Sequence, residues 1–363
     1  MANWRNPKML AEKAISAAGT EPINVRIKDP ISRIEFRHVI TRAARDSAGH
    51  PSLDITKVEL VNGSDVLFSM NGSECQALNI YDRQVGSMLE GDRHISVDQV
   101  ATYGLDFGRY LWDKQLALNP SAREFGDLQL KISHTLTNSD ASATAGKLEV
   151  YAHVFDERKV NPTGFLMSKE QYNYTCGSAN SYEYVPMPAD YPVRKMLIRG
   201  YRAQYDPWSS ITEFKIDENN EERVPYDWNM ENYSRMMKGQ WKEVSEYVGF
   251  EAPVGTINQF VTPTDWTEFV AERIGATQSS YMDSLVSGGH LAWTAAASGE
   301  VQGRVTGYCP NHCIEVPFND KNDNLTEYYN VQNINNVRLR LKAGSNATNG
   351  TGQVVLQQVR NYK

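Results

Sequence analysis

The segment DPISRIEFRHVI, residues 29–40, has a near copy in DYPVRKMLIRGY, residues 190–201. Aligned on Pro30 and Pro192, the two place Ile31 with Val193, Arg33 with Lys195, Ile34 with Met196, Phe36 with Ile198 and Arg37 with Arg199. Each reads as a strand: a proline stands at the start, where no ladder N–H is needed, and alternation then puts Ile34 and Phe36 on one face. What surrounds the two copies decides between chance and duplication.

After the first copy, LDITKVELVNGSDVLFSM gives two alternating runs around Asn62-Gly63, a strong hairpin signal. NGSECQALNIYDRQVGSM follows, with Ser73 as helix N-cap and Cys75, Leu78 and Val85 on one side. The second half repeats the order. SSITEFKIDENNEERVPYDW leads into NMENYSRMMKGQWKEVSEYV, where Tyr233, Met236, Met237, Trp241 and Val244 make an apolar stripe that predicts a helix over 230–244 packed on a sheet. Both halves end on two alternating strands joined by a small-residue loop, and Gly146–Val150 corresponds to Gly352–Leu356. Start, middle and end match in order at offsets of 162, 156 and 206 residues, so the chain reads as a duplication. The longer last offset places an insertion of about 50 residues in the second half. It spans roughly 250–330 and contains a helix capped by Thr262 with Pro263 at its first position, a short helix stopped by Gly288-Gly289, and a hairpin at Cys309–Cys313.

Composition narrows the function classes. With 363 residues and 40% apolar content there is material for two cores. Four scattered cysteines do not make a disulfide framework, so stability comes from burial. The net charge of −7 argues against a nucleic-acid coat, which needs dense cationic surface to neutralise phosphates, and no sequence-specific nucleic-acid binding is expected. No stretch approaches the ~20 apolar residues of a membrane helix and none reads as a signal peptide, so a soluble product of the cytoplasm is expected.

A repeated unit of about 150 residues, mostly strands with a helix after an early hairpin, predicts an all-β fold of two tandem eight-stranded jelly-roll sandwiches with short helices in the loops. The expected division is a helical arm at 1–21, a first jelly roll at 22–160, a linker at 161–182, and a second jelly roll at 183–363 with a tower at about 250–330. With its DPISRIEF and DYPVRKMLI strand starts and its NGSDVLFSMNGSECQAL hairpin-helix, the chain resembles the double jelly-roll major capsid proteins of tailless, membrane-containing bacteriophages and the adenovirus-hexon lineage. The resemblance implies a structural protein of the virion, made in the host cytoplasm. It implies a homotrimer that meets neighbouring trimers and penton or other minor capsid proteins in an icosahedral shell. It also implies an internal lipid membrane that the N-terminal arm, with Met9, Leu10, Ala14 and Ile15 on one side, would approach; a helix docked on its own or a neighbouring subunit is the other reading of that arm.

Nothing in the sequence spells out a reaction. The seven histidines form no His-x-His pair or His-Glu-x-x-His, and neither a Gly-x-Ser-x-Gly nor a phosphate loop is present. No enzyme activity and no cofactor are expected. Cys309, His312 and Cys313 bring two thiols and an imidazole within five residues, three zinc ligands without a fourth; a plain turn and a cross-turn disulfide are the other readings. Asp320 and Asp323, with Asn322 and Asn324, offer oxygen to a cation but lack the glycine and distal glutamate of an EF-hand; a solvated acidic turn is the alternative. Two other functions remain open: a two-jelly-roll glycan-active enzyme of glycoamidase or lyase type, which needs paired carboxylates in a cleft, and a carbohydrate-binding spike module using the tyrosine-rich linker and the insertion.

Overall fold

A computed structural model describes residues 3–156, 160–274, 280–284, 288–295, 298–319 and 322–362. The first half runs β1 (Trp4–Arg5), β2 (Lys8–Ser16), β3 (Ala18–Asn24), β4 (Ile31–Thr41), β5 (Ile55–Asn62), β6 (Asp65–Met70), α1 (Gly72–Arg83), β7 (Leu89–Glu90), β8 (Asp98–Asp106), β9 (Leu128–Thr135) and β10 (Ala145–Phe155). One sheet has the order β2-β10-β4-β8, the other β3-β9-β5-β6. Taking the eight long strands in chain order, the first, eighth, third and sixth form one layer and the second, seventh, fourth and fifth the other: a jelly roll. Its core is the alternation of the strands turned inward. Ile34 and Phe36 of β4, Leu130 and Ile132 of β9 and Val150 of β10 are all buried, and the Phe36 ring stacks on Tyr103 at 4.7 Å.

The second half runs β11 (Gly164–Thr175), β12 (Tyr182–Pro186), β13 (Val193–Tyr201), α2 (Pro207–Ser210), β14 (Ile211–Glu218), β15 (Arg223–Asn229) and α3 (Met230–Met237). It then passes through β16 (Val244–Ala252), β17 (Gly255–Phe260), β18 (Pro263–Ile274), β19 (Ser280–Ser284), β20 (His290–Ala295) and β21 (Gly299–Pro310) before β22 (Cys313–Pro317), β23 (Val337–Ala343) and β24 (Thr351–Asn361). Without the excursion from β16 to β21, the sheets are β11-β24-β13-β22 and β12-β23-β14-β15, the first barrel's order strand for strand. The duplicated segments β4 and β13 hold the same place in the two barrels. So do the β5-β6 hairpin with α1 and the β14-β15 hairpin with α3.

The excursion is the tower. Its strands make two three-stranded sheets, β16-β21-β18 and β17-β20-β19, around a separate core that includes Val248, Phe250, Ile257, Leu291, Trp293, Val301 and Val305. It leaves the second barrel between α3 and β22, and it occupies 244–310 rather than 250–330.

Several local expectations gave way to pairing. The expected helical arm at 1–21 is strand over the described residues 3–21: β2 covers the outer side of β10, and β3 that of β9. Nine residues of marginal helix former do not outweigh the unpaired amides of an eleven-residue edge. Two register shifts between β2 and β10 show the helix-like spacing being absorbed into a strand. The linker at 161–182 contains β11, a full strand along β24. The Thr262-capped helix is instead β18, laid along β21, and the segment before Gly288 is a strand at 280–284, with 285–287 outside the described residues. The cap of α1 lies two residues before the expected Ser73, at Asn71, whose side chain and that of Glu74 each accept the other's backbone N–H in a capping box. α3 ends at Met237, so Val244 opens β16.

Candidate functional site

The two barrels join at strand edges. β6 and β11 run parallel and touch at Ser69 and Lys169, which fuses one sheet of each barrel into an eight-stranded sheet. α1 lies across this seam, and every residue from Gly72 to Tyr81 is buried. From its last turn Tyr81 donates to the Cys313 carbonyl at 2.9 Å, and its ring packs on Trp241 at 5.3 Å.

Beside Tyr81 stands a buried acid that ties the halves by charge. Asp82, on α1 of the first barrel, lies 2.5 Å from Arg194 Nη1 and 2.8 Å from Lys195 Nζ of β13, and accepts from Gln357 at 2.9 Å. Burial alone would raise its carboxyl, but Arg194 and Lys195 outweigh that and hold it down to about 2. Arg194 continues to Asp323, whose carboxylate also receives Tyr328 Oη at 2.8 Å and Asn319 Nδ2 at 2.9 Å. Lys195 pairs with Glu315, which accepts Trp241 Nε1 at 3.1 Å. Every charge in the cluster has an opposite partner, as burial demands.

The repeat explains where the second cation comes from. Arg33, the counterpart of Lys195, is also fully buried, with Nη1 3.3 Å from Asp106. In each barrel a cation on the third strand meets an acid on the sixth: Arg33 with Asp106 on β8, Lys195 with Glu315 on β22. Asn79 of α1 bridges to Asp106 at 2.9 Å. Gly104 is required here, because a Cβ would stand 2.1 Å from the Arg33 guanidinium.

Of the residues singled out for metal, Cys309, His312 and Cys313 are buried at a bend of the chain. Cys309, Asn311 and His312 have φ of 54°, 52° and 67°, and mark a corner where the chain passes from the tower sheet into β22, not a hairpin. Cys309 Sγ sits 3.3 Å from Ser234 Oγ, and the His312 ring stands edge-on to Tyr201 at 5.0 Å. Burial pushes both thiols up and pushes His312 down to about 3, so the protein environment favours thiol over the thiolate that binds zinc. All four cysteines are free thiols. Asp323 is committed to Arg194, and Asp320 lies outside the described residues. Among the described residues no three of His, Cys, Asp and Glu converge as a metal site.

The two ends of the first barrel differ. At the end of the β4–β5 connection the tower is seated: Arg93 reaches Glu246 at 2.6 Å and the Phe260 carbonyl at 2.5 Å, and Ser47 donates to Gln259 at 2.8 Å. At the opposite end, by the β3–β4 connection, a cavity of about 730 Å³ opens between β2 and β3, lined by Arg5, Lys8, Arg26 and Lys28 over Met9 and Leu10. Asp82 carried no local signal in the sequence, since its partners are more than 100 residues away.

No protein-family model matches the sequence, and no curated protein matches it. Solved structures do. The fold is similar to the major capsid protein P2 from bacteriophage PM2, at 10% identity and a TM-score of 0.55, over 99% of this chain and 98% of that one. It is similar to the MCP of STIV, the Sulfolobus Turreted Icosahedral Virus, at 9% identity and 0.58, over 99% and 97%. It is also similar to the PBCV-1 virus capsid protein, at 10% identity and 0.55, over 99% and 95%. Coverage that is nearly complete in both directions means that the two-barrel plan as a whole is shared.

Proposed function

We propose that this chain is a viral major capsid protein, a structural component of the virion that acts by assembly. The observation that carries the reading is the duplication itself: two complete jelly rolls, equal in strand order, fused edge to edge in one chain, as in chains that build the capsids of PM2, STIV and PBCV-1. A three-fold ring of such chains has six similar walls, so a homotrimer makes a pseudo-hexagonal tile, and such tiles pack side by side into an icosahedral shell. Neighbouring trimers and minor capsid proteins at the vertices are then the partners. The tower stands at one end of the tile and the basic cavity at the other. We assign the tower to the outer surface and the cavity end, with the N-terminal strands, to the inside, where an anionic membrane would meet Arg26 and Lys28.

Light scattering with negative-stain microscopy tests the reading. A trimer with a six-sided outline is expected, and a monodisperse monomer at micromolar concentration overturns it. In intact particles, limited proteolysis should cut within 250–330 before it reaches residues 1–20; the reverse order exchanges inside and outside.

A further inference from the structure

The seam inside the chain has a counterpart that no described strand fills. β6 and β11, the fifth strand of one barrel and the first of the next, are covered by each other. β15 and β2 hold the same places at the far ends of the chain, and among the described residues each pairs on one side only, β15 with β14 and β2 with β10. Unpaired edges of seven and nine residues are templates for another strand.

The repeat fixes which residues correspond. Lys169 pairs with Leu356, the counterpart of Val150, and Val150 pairs with Leu10 on β2. Ser69 pairs with Glu59, the counterpart of Lys215, and Lys215 pairs with Asp227 on β15. Two residues beyond Ser69 and Asp227, Asn71 and Asn229 each cap the following helix, which confirms the register independently. From this correspondence we infer that β15 of one copy lies parallel to β2 of the next, with Asp227 beside Leu10, and that the outer face of α3 packs on the first barrel of that copy as α1 packs on the second barrel of its own. The contact is head to tail and closes after three chains, so the inference rests on the trimer proposed above.

Two further features agree. α1 is buried from Gly72 to Tyr81, whereas α3 buries only Met230, Tyr233, Ser234 and Met237 and leaves Met236 bare. Pro225, which has no amide hydrogen, keeps the β15 edge from pairing along its whole length, in keeping with the single bridged pair of the internal seam.

Disulfide trapping tests the contact. All four native cysteines are buried, and paired strands bring Cα atoms to about 5 Å, within disulfide reach. Under mild oxidation the double variant Leu10→Cys, Asp227→Cys should give covalent dimer and ring-closed trimer. The two single variants should link only when mixed. Leu10→Cys paired with Tyr182→Cys on β12, the opposite end of the sheet that β15 closes, should give nothing. A trimer by light scattering that does not cross-link overturns this contact and leaves the trimer standing; a monomer overturns both. Should a substitution impair folding, hydrogen exchange of the unmodified protein decides, since trimer formation must slow the amides of β2 and β15, and unchanged rates on dilution to monomer overturn the contact.

Discussion

Leu78 on α1 and Met236 on α3 occupy the same position after their respective caps, yet Leu78 is 2% exposed and Met236 47%. The helices differ little in how they are made: each follows the fifth strand of its barrel directly, and each starts on an asparagine whose side chain accepts a backbone N–H of the first turn. What differs is the neighbour. The second barrel sits on α1, whereas α3 keeps an exposed face that includes Met236. Burial at α1 therefore belongs to folding, and burial at α3 to assembly.

The sharpest way to break this distinction is at Asp82. Asp82→Asn leaves Arg194 and Lys195 short of a buried counter-charge and should cost about 3–5 kcal/mol in denaturant unfolding at neutral pH. The effect has a pH signature. Because the carboxyl is held at about 2, below its ordinary 3.8, the stabilisation is fully present above about pH 4 and is lost as pH falls towards 2. Asp82→Asn should flatten that acid limb, and a variant as acid-labile as the unmodified protein would remove Asp82 from the seam's energetics.

The helices themselves come next. Leu78→Ala should destabilise the chain by about 2–5 kcal/mol at any protein concentration. Met236→Ala should leave the isolated chain within about 0.5 kcal/mol of the original while weakening the trimer, seen as dissociation on dilution. Equal and concentration-independent losses at both positions would show α3 to be a folding element like α1.

These contrasts also show where the sequence was legible. The duplicated strand starts, Asn62-Gly63 and the apolar alternation of β9 and β23 are local signals matched by the final pairing, and from them the two jelly rolls could be read. Residues 8–16 and 263–274 carried local signals too, an amphipathic spacing and a Thr-Pro cap, but their fate was set by β10 and β21, far along the chain. Edge amides that must be paired overrode helix preferences worth a few tenths of a kcal/mol per residue. The seam was not legible at all. Asp82 is an ordinary acid near a helix end until the fold brings β13 over it, and the free edges of β2 and β15 exist only once every other strand has been paired.

A smaller contrast lies on the third strand. His38 of β4 corresponds to Gly200 of β13, where a Cβ would meet the Pro207 carbonyl of α2 at 2.4 Å. The first barrel has its own turn at this point of the chain, Pro51–Asp54 before β5, yet an imidazole occupies position 38, with neither nitrogen hydrogen-bonded. Burial, with His134 nearby, pushes His38 down to about 3 from the usual 6.5. The unfolded chain thus takes up a proton below about pH 6.5 that the folded chain refuses, and stability declines from there towards pH 3. His38→Leu should raise stability by about 1–3 kcal/mol and flatten the pH dependence in that window. A loss at pH 7 would mean that the imidazole is held by a buried water.

The smallest expected effect separates the two hairpin turns. In the first barrel the β5–β6 turn has two residues, with Gly63 at φ 60° in the position a type II′ turn reserves for glycine. In the second barrel the β14–β15 turn is longer, and Asn219, Asn220 and Glu221 take φ of 50°, 60° and 72°. A Cβ at Gly63 would meet nothing within 4 Å, so Gly63→Ala tests backbone conformation without any clash. It should cost about 1–2 kcal/mol, the left-handed penalty for a residue with a Cβ. Asn220→Gly starts from a residue that tolerates this region and should change stability by only a few tenths of a kcal/mol. Since both turns lie on the solvent side of a hairpin, neither substitution should alter assembly. A trimer weakened by Asn220→Gly would instead place the longer turn of the second barrel, with its Glu221 and Glu222, inside the contact between copies, and would extend the β15 edge contact beyond the single bridged pair of the internal seam.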